Sequence, residues 1–82
     1  MHEAHPAILK RLKRAHGHLA SVIAMIEAKR ACVDLAQQLH AVEAAVANAK
    51  RALIHDHIDH CLTGDKNNRA TLGELKLLTK YL

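Results

Sequence analysis

From Leu35 the apolar residues Leu35, Leu39, Val42, Val46, Ala49 and Leu53 step by 4, 3, 4, 3 and 4, the seam of a heptad repeat. No Gly or Pro interrupts the chain between Val33 and Leu62, so the pattern predicts one long helix over about residues 31–62. A seam of this length has to be covered. A chain of 82 residues buries only about 60–65% of its unfolded surface and is marginal alone, so self-association is the expected remedy.

The rest of the chain is also helical in character. Its apolar residues are Ala, Leu, Ile and Val, with no Phe, no Trp and Tyr81 as the single aromatic, and strand formers are scarce. Pro6 suits a first helical turn. After it Ile8, Leu12, Ala15, Leu19, Val22, Ile23 and Ile26 recur at helical spacing, predicting helix one over about residues 6–28 with these residues as its buried stripe. No Gly or Pro marks the join near Ala28–Arg30, so a single helix from Ala7 to Leu62 remains an alternative. The polar run Thr63-Gly64-Asp65-Lys66-Asn67-Asn68 predicts the end of helix two and a loop. Helix three is expected over about 71–81, capped by Thr71 with Glu74 at the capping-box position. The reading is an all-α single domain over 1–82 with three helices per chain.

Twelve Lys and Arg against eight Asp and Glu give a net charge of +4, which favours a polyanionic partner. With one aromatic there is no stacking platform for unpaired bases, so double-stranded DNA is the expected nucleic acid. Lys10, Arg11, Lys13 and Arg14 form a basic run early in helix one, and Lys50 and Arg51 lie near the middle of helix two. A solvated charged face is the plainer explanation of such a run; as a DNA surface, these residues would position phosphates rather than read bases. Two cysteines without a signal peptide or a long apolar run point to the reducing cytoplasm and to no membrane. Phosphate loops, nucleophile elbows and paired carboxylates in apolar runs are not recognisable, so no enzyme is expected.

The stretch His55-Asp56-His57-Ile58-Asp59-His60-Cys61 is the densest in metal-ligating side chains. His57 and Cys61 are four apart and share one helix face, on the line continued from Ala49 and Leu53. His55 turns away and His60 lies to one side. Cys32 is the remaining thiol, 25 residues before His57, or about 37 Å along a continuous helix. One ion cannot span that distance within a chain. A site using both ends requires two chains with helix two packed antiparallel on its own copy, giving two sites per dimer. Each ligand has a plainer reading: a histidine on a solvated face, or a small buried thiol. Asp56 and Glu74 are candidates to orient a ligating imidazole through its second nitrogen, although an exposed acid or a helix cap explains them more simply. His16, His18 and His40 read as surface or interhelical polar groups.

The segments R-L-K-R-A-H-G-H-L, A-C-V-D-L-A-Q-Q-L-H-A-V and D-H-I-D-H-C resemble the copper-sensitive operon repressor and nickel/cobalt-responsive repressor family (CsoR/RcnR, with a formaldehyde-responsive FrmR branch), over most of the chain. The resemblance implies a three-helix repressor assembled as a dimer of dimers, holding operator DNA when metal-free and releasing it when the inducer binds. It maps the sensing cysteine onto Cys32 and the next two ligands onto His57 and Cys61. Ala31 precedes Cys32 where copper sensors commonly carry Tyr, and Glu43 stands where many members carry Arg. Two thiolates and one imidazole suit Cu(I). Ni(II) or Co(II) would want further donors, for which His2, His5 and His60 are candidates; the family's nickel sensors recruit an N-terminal histidine. Two other readings are open: a repressor whose inducer is an aldehyde or sulfur species attacking Cys32, and a His-rich metal-buffering protein without a DNA role.

Overall fold

The computed structural model describes residues 5–63 and 69–82, with backbone alone over 61–63 and 69–71. Three α-helices follow one another: α1 (Pro6–Glu27), α2 (Cys32–Thr63) and α3 (Arg69–Leu78), and a 3-10 turn (Thr79–Tyr81) closes the chain. Among the described residues there is no strand. The chain divides into two compact units, Met1–Ala49 and Lys50–Leu82.

In the first unit, α1 and the first half of α2 form an antiparallel hairpin, as the pairing of His18 with Gln38 and of Arg11 to Ala15 with Ala45 and Asn48 requires. Pro6 opens α1 at its first position, and the His5 carbonyl accepts the Leu9 N–H at 2.9 Å. The expected ambiguity between one helix and two is resolved by the backbone at the join. Lys29 adopts φ 61°, the left-handed conformation. Its N–H donates to the Ile26 carbonyl at 3.0 Å and the Arg30 N–H donates to the Met25 carbonyl at 3.1 Å, the paired bonds of a Schellman ending. The position usually taken by glycine is a lysine, which is why the sequence carried no mark of it. The Ala31 carbonyl then accepts the Leu35 N–H at 3.1 Å and starts α2. Arg30 and Asp34 approach to 3.8 Å, but both are exposed, and such a pair adds little.

The core of this hairpin is a half-heptad. Ile8, Ala15 and Val22, each seven apart on α1, are buried, as are Val42 and Ala49 on α2. The rest of the expected α1 stripe is not buried within the chain: Leu12, Leu19, Ile23 and Ile26 are exposed at 42%, 40%, 52% and 51%. The α2 seam divides in the same way, for Leu39, Val46 and Leu53 are 44%, 46% and 41% exposed. One chain therefore covers one row of each heptad and leaves the other row open, because two helices alone cannot enclose a stripe of that width.

In the second unit, Ile54 is buried and α3 begins at Arg69, two residues before the expected Thr71. Thr71 is thus the third residue of α3 and not its cap, so Glu74 does not complete a capping box with it. The Thr79 hydroxyl donates to the Lys76 carbonyl at 2.6 Å where α3 tightens into the 3-10 turn. The polar stretch expected as a loop, Gly64–Asn68, lies outside the described residues.

Candidate functional site

The expected ligands sit on one element. Cys32 is the first residue of α2, exposed and outside any disulfide, whereas His57 lies in the last two turns of the same unbroken helix. The backbone of Cys61 is also in α2; its side chain lies outside the described residues, as does His2. Rise per residue alone, about 1.5 Å, separates the ends of such a helix far beyond the reach of one ion. Among the described residues no three His, Cys, Asp or Glu side chains converge within the single chain.

His57 is the best-held member of this group. Its Nε2 lies 3.1 Å from Oε1 of Glu74, and its side chain is only 14% exposed. Glu74 comes from α3, so the pair joins two helices of the second unit. Glu74 thus stands against the Nε2 side of the ring, the kind of carboxylate contact that, in metal sites, orients a ligating imidazole through its second nitrogen. Asp56, the other expected orienting acid, is exposed; the carboxylate placed on His57 is that of Glu74. His55 and His60 are exposed. His5 immediately precedes α1 and is half-buried.

As candidate donors these residues would fit a soft or borderline ion: the Cys32 thiol, which is outside any disulfide, an imidazole beside a carboxylate, and a second cysteine one helical turn further on.

All six basic residues singled out from the sequence, Lys10, Arg11, Lys13, Arg14, Lys50 and Arg51, are exposed. The structure divides the α1 run. Arg11 and Arg14 line a cleft with Ala15 and His18 of α1 and Ala45 and Asn48 of α2, whereas Lys10 and Lys13 do not. His18 is held beside this cleft by a 2.6 Å hydrogen bond between its Nε2 and Oε1 of Gln38. Glu43 is exposed and is not among the cleft residues. The part played by His18 and Asn48 was not readable from the basic run. For His18 the signal is its place four residues after Arg14 on the same face; Asn48 carries none, because its neighbours there belong to another helix.

Residues 4–81 match the family described as "Metal-sensitive transcriptional repressor". The copper-sensing transcriptional repressor CsoR of Mycobacterium ulcerans (strain Agy99) is 39% identical over 78 residues, which are 92% of this chain and 67% of that protein. CsoR of Bacillus subtilis (strain 168) is 42% identical over 55 residues, 67% of this chain and 54% of that protein. The chain thus spans about two thirds or less of the length of these relatives. Among solved structures, the nickel-responsive transcriptional regulator InrS superposes with a TM-score of 0.82 at 29% identity, covering 100% of this chain and 97% of that one. Its likeness extends to the all-helical fold itself. With a family match running from residue 4 to residue 81, the chain belongs to the metal-sensitive transcriptional repressors of the CsoR/RcnR type, a family of regulators and not of enzymes.

Proposed function

We propose that this protein binds operator DNA when metal-free and releases it on binding Cu(I) or Ni(II)/Co(II) at a site formed by Cys32 of one chain and His57 and Cys61 of another. The observation that carries the reading is the placement of Cys32 and His57 near opposite ends of one unbroken helix. Two copies of α2 packed antiparallel bring unlike ends together, and two-fold symmetry makes two equivalent sites. The exposed rows Leu39, Val46 and Leu53 on α2 and Leu12, Leu19 and Ile26 on α1 supply the apolar surface for such a dimer and for a dimer of dimers.

The bound ion would supply a cross-link between chains. The protein's own residues do the rest. Cys32 and Cys61 bind as thiolates and His57 as neutral imidazole, held by Glu74 from α3. That contact carries the state of the site into α3 as well as along α2. Lys10, Arg11, Lys13 and Arg14 with Lys50 and Arg51 contact DNA phosphates. Release requires that the metal-loaded arrangement bind DNA less well. A coupling of about 1–3 kcal/mol corresponds to roughly 5- to 150-fold weaker DNA binding, and DNA weakens metal binding by the same factor.

Both metals stay in the reading. Cysteine and histidine donors fit Cu(I), in keeping with the copper-sensing relatives; the nickel-responsive InrS keeps Ni(II), with His2, His5 or His60 as further donors. A cytoplasmic location accords with DNA as the partner, and among the described residues no helix is long and apolar enough to cross a membrane.

Mixed dimers test the shared site. Cys32→Ala and Cys61→Ala homodimers should each bind no ion tightly, and a heterodimer of the two should regain one site per dimer, because one of its two sites keeps all three ligands. A site within one chain predicts no recovery. Reduced protein that takes up neither Cu(I) nor Ni(II), yet loses DNA affinity when Cys32 reacts with formaldehyde, would replace the metal reading by the reactive-thiol one.

A further inference from the structure

Along α2, Leu39, Glu43, Val46, Lys50 and Leu53 follow one another at steps of 4, 3, 4 and 3, so the two charges share the helix face of the exposed apolar row. All five are exposed. Glu43 and Lys50 are two helical turns apart, beyond the one-turn spacing at which charges pair within a helix. Among the described residues, neither side chain has an ion pair or hydrogen bond within the chain.

The row reads nearly the same in both directions from Val46. Leu39 stands seven residues before it and Leu53 seven after, while Glu43 stands three before and Lys50 four after. A second copy, antiparallel and related by a two-fold axis at Val46, therefore sets each Leu39 against Leu53 of the other copy and each Glu43 against its Lys50. We propose that these two Glu43–Lys50 contacts between copies fix the register of α2 on α2. This register rests on the antiparallel pairing of α2 proposed above. The apolar row alone tolerates a slip of one heptad, about 10.5 Å, with loss of one layer of apolar contacts. A slip in one direction carries the axis to Glu43 and sets the two carboxylates together. In the other direction it carries the axis to Lys50 and sets the two ammonium groups together. Only the alignment on Val46 joins unlike charges, so repulsion excludes its neighbours while attraction favours it. The same alignment puts Cys32, fourteen residues before Val46, level with Cys61, fifteen after. An ammonium has several N–H donors, so Lys50 keeps some for a phosphate.

Two measurements separate the charge register from the pairing beneath it. In the first, Val46→Cys is made in a Cys32→Ser, Cys61→Ser chain and exposed to oxidised glutathione. A residue on the axis meets itself. Covalent dimer is expected at least tenfold faster than from Leu39→Cys, whose two copies lie about 21 Å apart along the helices. Equal rates would overturn the antiparallel pairing and the register with it.

The second keeps both natural cysteines, reduced and metal-free, in the full chain at low ionic strength, where exposed charges act most strongly. Glu43→Lys and Lys50→Glu should each self-associate at least fivefold more weakly than the natural chain by sedimentation. Lys50→Glu lowers the net positive charge of the chain and so reduces general repulsion; weaker association in that variant reports the local contact. In an equimolar mixture of the two variants, one of them isotope-labelled, every charge contact of a heterodimer is again between unlike groups. Native mass spectrometry should find heterodimer well above the statistical half, at four fifths or more. Both positions are exposed, and the helical circular dichroism of each variant should match that of the natural chain. A heterodimer fraction of one half, or undiminished association in both variants, would overturn the charge register while the Val46→Cys result kept the antiparallel pairing.

Discussion

Glu74 on α3 places its Oε1 3.1 Å from Nε2 of His57 on α2. A residue that sequence spacing assigned more simply to capping its own helix is instead the carboxylate that orients the imidazole. Metal-ligating histidines almost always use their second nitrogen in this way.

Removing that partner should weaken the site without removing a ligand. Glu74→Ala is expected to lower metal affinity by about 10- to 100-fold, read by competition with a chelator of known affinity. Glu74→Gln, which keeps an acceptor oxygen but no charge, should fall between the two. Equal affinity in all three proteins would show that the contact plays no part in binding.

Metal affinity should fall as pH falls. In the proposed site the binding forms are two thiolates and a neutral imidazole, so each proton that returns to a ligand competes with the ion. Folded, metal-free protein titrated at several pH values should show progressively weaker binding toward acid, and the Cys61→Ala variant a shallower slope.

The left-handed lysine offers a stabilising change. A non-glycine residue in this conformation costs about 1–2 kcal/mol, a penalty that glycine does not meet. Lys29→Gly, with φ 61° at that position, should raise unfolding free energy by about 1 kcal/mol at fixed protein concentration, measured by urea denaturation. Lys29→Val should lower it.

Two neighbouring substitutions on α1 should separate folding from assembly. Val22 is 1% exposed and Ile23 is 52% exposed. Val22→Ala removes buried methyl groups and should cost about 2 kcal/mol of stability. Ile23→Lys should leave the hairpin folded and shift the sedimentation distribution toward smaller species, as should Val46→Lys on α2.

Much of the fold was legible because it rests on periodicity. The unbroken run from Val33 to Leu62 and the 4, 3 stepping of its apolar residues announce α2 without any contact being known. Where a helix begins or ends was less legible, since at Lys29 the main chain alone makes the turn. The start of α3 at Arg69 was hidden for a related reason: Thr71 and Glu74 have the spacing of a capping box, but sequence spacing does not say which turn a residue occupies. The periodicity marked which residues are apolar but not which row each would face. Ile8, Ala15 and Val22 point into the hairpin while Leu12, Leu19 and Ile26 do not, a division decided by the register of α1 on α2. The candidate metal ligands stood out because His57 and Cys61 are one turn apart. The partnership of His57 with Glu74 and the cleft of Arg11, Arg14, His18 and Asn48 did not, because each depends on side chains from two helices.

The elbow between α1 and α2 is sealed by amide-to-carbonyl bonds from Lys29 and Arg30. The direction in which the chain doubles back therefore owes little to the chemistry of the residues standing there. Mutational drift through Ala28–Ala31 can alter charge and bulk while the bend angle persists, so related proteins with unlike letters at this corner should still superpose through it.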